Sequence, residues 1–124
     1  MRPETLLYRQ IHPFFLQNGR PTSQALRPTP KDSNRLSAYD GDKIQPKASW
    51  EHYTGTLGFS SAGVMAVTNA ECAAQSLTVV ADGIPFSEHC SIDFSGLTES
   101  AVKKAAKNLV QLAINRGWLY RDSR

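Results

Sequence analysis

The stretch Thr98–Gly117, TESAVKKAAKNLVQLAINRG, constrains the fold of this chain more than any other, because it reads only as a helix. Thr98 is a good N-cap, Glu99 suits the positive end of the helix dipole, and Leu97 and Val102 are spaced as a hydrophobic staple. At about 100° per residue, Val102, Ala105, Ala106, Leu109, Val110, Leu112, Ala113 and Ile114 cover more than half the circumference. Lys104, Lys107, Asn108, Gln111 and Asn115 share the remaining arc. Gly117 is placed to stop the helix as a left-handed residue, with Trp118 packing back on its last turn. A helix this apolar must lie against a sheet, so the rest of the chain has to supply strands.

Several segments qualify. Leu6, Leu7, Tyr8 and Ile11 mark a first strand ended by His12-Pro13, and Arg35–Tyr39 a second, closed by the turn Asp40-Gly41-Asp42. Ser61–Thr68 has little polar face, which predicts a central strand covered on both sides. Leu77–Ala81 and His89–Phe94 follow; in the latter, Cys90, Ile92 and Phe94 alternate with His89, Ser91 and Asp93. Trp118, Leu119 and Tyr120 read as a short edge strand. Between these lie a helix starting at Pro46, with Trp50, Tyr53 and Leu57 on one face and Gly58 as its stop, and a short helix through Ala70–Ala74 capped by Thr68 or Asn69. The order β-β-α-β-α-β-β-α-β predicts an α+β fold: a mixed, largely antiparallel sheet with the long C-terminal helix packed on one face.

Residues 1–124 are long enough for a single domain with its own core. Six of the seven prolines fall at or before Pro46, so residues 1–46 are expected as a loop-rich, basic N-terminal arm and 47–124 as the main scaffold. Phe14, Phe15 and Leu26 would anchor that arm, and Asn18-Gly19 marks a turn within it. No apolar run reaches the roughly 18 residues of a membrane span. The first residues, with Glu4 and a very short apolar run, do not read as a signal peptide, so a cytoplasmic protein with reduced thiols is expected. Cys72 and Cys90 form no C-x-x-C pair and read as buried, inert thiols; a reactive Cys90 beside His89 is the alternative.

Charge is segregated along the chain. Residues 1–50 carry eight basic and four acidic residues; residues 51–97 carry five acids and no Lys or Arg; residues 98–124 carry six basic and two acidic residues. If the two basic segments share a face, the protein's field is lopsided and favours an anionic partner. The bland explanation is that the middle segment is mostly buried sheet, where lysine is rare.

Familiar chemistries find little support. His89, Ser91 and Asp93 resemble a hydrolase triad, but same-face neighbours on one strand stand about 6.6–7 Å apart with parallel side chains, too far for a Ser–His relay. A solvated strand face is expected there, with His89 pairing a nearby acid. His12, His52, Cys72, His89 and Cys90 match no metal-ligand spacing, no phosphate-loop pattern is present, and no cofactor is implied. No nucleic-acid signature occurs, although Lys103, Lys104 and Lys107 could touch phosphates, so nucleic acid stays open as a partner. A membrane-surface role is weaker, since the core needs the helix's apolar arc.

The best cluster lies in the N-terminal third: Arg9, His12, Arg20, Arg27, Lys31 and Arg35, among Tyr8, Phe14 and Phe15. In Leu26–Asp32, LRPTPKD, prolines stiffen a loop presenting Arg27, Lys31 and Asp32, which lowers the ordering cost of binding. Arginines among hydroxyls and aromatics suit carboxylate or phosphate recognition. The expectation is a small non-enzymatic binding module, of adaptor, accessory or immunity type, that recognises an acidic or anionic partner through Arg9, His12, Arg20, Arg27, Lys31 and Asp32. The rival is an enzyme acting on a phosphorylated or nucleotide-like substrate, with Arg9 and Lys31 on phosphate and His12 or His89 as acid–base group. Convergence of His12, Lys31 and His89 on one pocket would favour the enzyme. Exposed Trp118 and Tyr120 on an edge would point to an oligomer, a state the sequence leaves open.

Overall fold

A computed structural model describes residues 1–123. The elements run β1 (Leu6–Gln10), β2 (Leu16–Gln17), β3 (Arg20–Pro21), β4 (Arg35–Asp40), α1 (Pro46–Glu51), β5 (Gly63–Thr68), α2 (Asn69–Ala74), β6 (Thr78–Val80), β7 (His89–Asp93), α3 (Glu99–Arg116) and β8 (Tyr120–Arg121). The expected order is reproduced, with one addition: β2 and β3 form a small separate hairpin around Asn18-Gly19, both at positive φ (54° and 78°). Short 3₁₀ turns at Pro13–Phe15, Ser23–Leu26 and Pro30–Asp32 fill the rest of the N-terminal third. Helix α1 widens into one π-helical turn, His52–Thr56, before Gly58 (φ 76°) ends it.

The six-stranded sheet has the order β6-β7-β4-β1-β5-β8, and every pairing in it is antiparallel. Strands β1 and β4 both come from the expected N-terminal arm, yet they occupy the middle of the sheet. The loop-rich part is therefore residues 11–34, and residues 1–46 do not hang off a separate scaffold. Within it Leu26 is buried and Phe15 partly so, but Phe14 is 90% exposed and anchors nothing.

Helix α3 forms as its sequence requires. The Thr98 hydroxyl accepts from Ala101 N–H at 3.2 Å, and Gly117 ends the helix at φ 90°, ψ 175°. That ψ is extended rather than left-handed helical, so the chain leaves straight into β8. Val102, Ala105, Leu109, Val110 and Ala113 pack with Leu7, Ile11, Met65, Val67, Cys90 and Ile92 from the sheet. The 3₁₀ turn bearing Ala25 and Leu26 closes the same core beside α3. At the helix end Arg116 donates to the Ala66 carbonyl at 2.8 Å and grips both oxygens of Glu71 at 3.0 Å. Glu71 is also the return arm of a capping box with Thr68, so one carboxylate ties α2 to α3. Cys72 and Cys90 lie buried in this core as free thiols, both pushed up to about 12 by burial. That fits inert thiols and not a reactive Cys90.

The opposite face carries a second cluster of Tyr8, Tyr39, Val64 and Ala66. Helix α1 covers its β5 side through Trp50, which stacks on Tyr120 at 5.2 Å and donates Nε1–H to the Ser61 carbonyl at 3.0 Å. Trp118 lies under the Arg121 guanidinium at 4.4 Å. The aromatics at edge strand β8 are thus packed within the chain. Among the described residues no helix is long and apolar enough to cross a membrane.

Candidate functional site

The site begins with a local failure of pairing. Strands β1 and β4 match only at Leu7–Asp40 and Tyr8–Tyr39. Beyond those pairs β1 stays with β5 as far as Gln10, while β4 stays with β7 back to Arg35. The two strands part, and the Arg9 guanidinium fills the split. Its Nε–H donates to the Ala25 carbonyl at 2.7 Å and Nη1–H to the Ser37 carbonyl at 3.0 Å. These use two of the five N–H groups an arginine offers. No carboxylate lies within ion-pair distance of Arg9 among the described residues. Burial draws the Arg9 pKa below its ordinary value against the opposing pull of Tyr53 and Asp32.

Arg9 and Ser37 line two cavities. The first, about 180 Å³, opens on the face away from α3. Tyr8, Gln10, Ser37, Tyr39 and His89 contribute to its lining from the sheet, Tyr53, Leu57 and Phe59 from the segment following α1, and Pro85 and Phe86 from the β6–β7 connection. The π-helical turn sets His52 against Tyr39, with Nδ1 and the phenol oxygen 2.8 Å apart. Burial, assisted by Tyr53 and Glu88, holds the Tyr39 hydroxyl well above its usual pKa. Tyr39 therefore stays a neutral phenol, hydrogen-bonded to His52. Phe86 is the hub of the wall, with ring centroids 4.6 Å from His52, 5.1 Å from Tyr39 and 5.4 Å from His89.

His89 faces Tyr39 directly across the β4–β7 pair. Its Nδ1 lies 2.7 Å from Asp82 Oδ1, and the Ser91 hydroxyl donates to the other Asp82 oxygen at 2.9 Å. Burial pushes the Asp82 carboxyl up, but the bonds from His89 and Ser91 outweigh it and leave the group below the usual carboxylate range. An ionised Asp82 makes Nδ1 the donor, so Nε2 is the ring nitrogen left for a ligand. The strand face expected to be solvated is instead buried at His89 and Ser91, because Asp82 folds back over it. It is no triad. Ser91 binds Asp82, while Asp93 accepts from Ser95 N–H at 2.8 Å and faces Arg35 at 3.8 Å.

The second cavity, about 150 Å³, lies on the other side of the split. Arg9, Arg27 and Arg35 all line it, with Asp32 as the one acid among the lining residues. Asp32 accepts the Thr29 hydroxyl at 2.9 Å, and Arg27 makes no side-chain hydrogen bond or ion pair among the described residues.

The sequence-derived residues thus divide. Arg9, Arg27 and Asp32 come together at the second cavity, joined by Arg35. Lys31 is exposed on the adjacent 3₁₀ turn, and Arg20 is exposed on the β2–β3 hairpin. His12 is engaged locally, with its Nδ1 accepting from Phe14 N–H at 3.1 Å and its ring 4.7 Å from that of Phe14. His12, Lys31 and His89 do not converge on either cavity. Tyr39, Tyr53 and Phe86 escape a reading of the sequence, because they belong to separate elements and meet only in the fold; the nearby acid expected beside His89 is Asp82. No group of three or more potential metal ligands forms among the described residues. No protein-family model matches the chain, and neither a curated protein nor a solved structure matches it.

Proposed function

We propose that this chain is a small non-enzymatic binding module whose arginine-lined cavity takes a carboxylate or phosphate group of an acidic partner. The observation that carries the reading is the convergence of Arg9, Arg27 and Arg35 on one cavity that holds a single acid. An enclosed cation without a counter-charge is costly, and an incoming anion removes that cost. Guanidinium groups also match carboxylate and phosphate oxygens in paired geometry. Of the middle segment's acids, Glu71 is held by Arg116 and Asp82 by His89 and Ser91, while Asp93 faces Arg35 at 3.8 Å, which leaves Arg9 and Arg27 without an ion pair among the described residues. Arg20 and Lys31 add exposed positive charge on the same N-terminal third. A cytoplasmic setting agrees with two free, buried thiols.

The enzyme reading has less behind it. Its candidate histidines lie apart, and cavities of about 150 and 180 Å³ fall below the ~300 Å³ at which pockets for larger ligands begin. The test is fluorescence anisotropy with a labelled glutamate-rich peptide. The double variant Arg27→Glu, Lys31→Glu should weaken binding at least about tenfold, and raised salt should weaken the wild type. Its melting temperature should stay within about 2 °C of the parent, because Lys31 is exposed and the half-buried Arg27 has no polar partner to lose. Binding unchanged by the double substitution would overturn the proposal.

A further inference from the structure

We propose that the aromatic cleft is a second site, sharing Arg9 with the first, for a free single-ring aromatic acid: a benzoate-type carboxylate with a hydroxyl across the ring. Size sets the first limit. The cleft encloses about 180 Å³, a little more than the roughly 150 Å³ that holds a benzene molecule in an apolar protein cavity. One substituted ring fits such a space, and a nucleotide does not.

The walls set the second limit. Tyr53 and Phe59, their rings 5.2 Å apart, and Phe86 all contribute aromatic rings to the lining. Flat aromatic walls favour a flat aromatic guest through edge and offset contacts. Phe59 is 56% exposed. It is an apolar ring held at the rim of a cavity, where an occupant would cover it.

The polar ends set the third. Arg9 lines the cleft from β1, with three N–H groups unused by its two carbonyl acceptors. His89 lines it from β7, oriented by Asp82 so that Nε2 is its free nitrogen. Strand β4 separates them, so their backbones stand about two interstrand spacings, ~10 Å, apart. A ring with an oxygen at each end, hydrogen-bonded at both, is of that reach. Gln10 takes no part, since its amide is already engaged by Ser49 and Ser61. No Asp or Glu lines the cleft among the described residues. The ligand's carboxylate would therefore be the only negative charge facing Arg9 from this side.

The experiment is calorimetric titration of the full chain with 4-hydroxybenzoate, benzoate, phenol and cyclohexanecarboxylate. The expected order is 4-hydroxybenzoate first and saturable at one site, benzoate weaker, and phenol and cyclohexanecarboxylate weakest. Phe59→Ala and Tyr53→Ala should each reduce 4-hydroxybenzoate affinity at least about tenfold. His89→Gln should erase the advantage of 4-hydroxybenzoate over benzoate. Arg27→Glu, which disables the proposed anionic-partner surface, should change nothing here, so the two proposals fail separately. Absence of saturable binding by any probe would overturn the inference. So would equal binding of benzoate and cyclohexanecarboxylate, or a loss on Arg27→Glu with none on Phe59→Ala.

Discussion

The two faces of the central sheet are drawn from alternate residues of the same strands, and they solve different problems. The face under α3 is almost wholly aliphatic, with Leu7, Leu36, Met65, Val67 and Ile92 packed against Val102 and Leu109. The other face buries Gln10, His89 and Ser91 beside Tyr8 and Tyr39, and these polar groups are bonded: Gln10 to Ser49 and Ser61, His89 and Ser91 to Asp82, Tyr39 to His52. Apolar burial is stabilising without direction, whereas buried polar groups cost free energy unless each finds a partner in fixed geometry. The first face thus holds the fold together and the second fixes positions. Both cavities meet where that second kind of construction borders the first, at Arg9.

The contrast is most easily broken on the helix face. Leu109 is fully buried in the α3–sheet core. Leu109→Ala should destabilise the protein by about 3 kcal/mol, from lost transfer energy and the cavity left behind. Urea denaturation followed by circular dichroism would register a lower midpoint. A loss under about 1 kcal/mol would mean that α3 is not the main stabilising layer.

What the sequence discloses and what it hides follow the same division. Helix α3 is legible because Thr98, its apolar arc and Gly117 are local signals, and the strands are legible from alternation at segments such as His89–Phe94. Neither cavity leaves a periodic trace, since residues such as Tyr8, Tyr39, Tyr53, Phe86 and His89 come from separate elements and meet through register. Charge alone singles out Arg9, but its enclosure depends on β1 and β4 parting after Tyr8–Tyr39, which no local pattern announces. Asp82 carries a fainter signal. It follows β6 at Asp82-Gly83, ahead of the loop that returns the chain to His89. Of the hairpin β2–β3 only the Asn18-Gly19 turn is legible, because two-residue strands carry no readable alternation.

A middle-sized effect sharpens the picture on the polar face. Asp82 and Glu71 are both held below their ordinary pKa: burial raises each, and hydrogen bonds from His89 and Ser91, or from Arg116 and Thr68, outweigh it. A depressed carboxylate adds stability above its unfolded pKa, about 4, and that contribution is lost as pH falls through the folded value. Stability should therefore drop as pH falls below about 4, with the protein losing both carboxylate contributions in that window. Asp82→Asn should cost about 1 kcal/mol near neutral pH through the weakened bond to His89. It should also flatten the acid limb of the urea midpoint against pH, leaving the share that belongs to Glu71. An acid limb as steep as in the parent would show that Asp82 is not engaged as an ion.

The smallest effect on stability is the most informative about use. Phe59 lies at the rim of the aromatic cleft, 56% exposed, with its ring against Tyr53 and its backbone N–H donating to the Tyr53 carbonyl at 3.1 Å. Truncation to alanine keeps that backbone bond and removes a ring that buries less than half its surface. Phe59→Ala should change stability by no more than about 0.5 kcal/mol, within the range of ordinary surface positions. A core residue of the same size would cost several times more. If the measured cost instead approaches that of Leu109→Ala, Phe59 is a structural member of the polar face, and the cleft is a gap in packing. If the fold is indifferent to it, the ring is held at the rim for something other than the fold, because an exposed aromatic side chain gains little from its own burial.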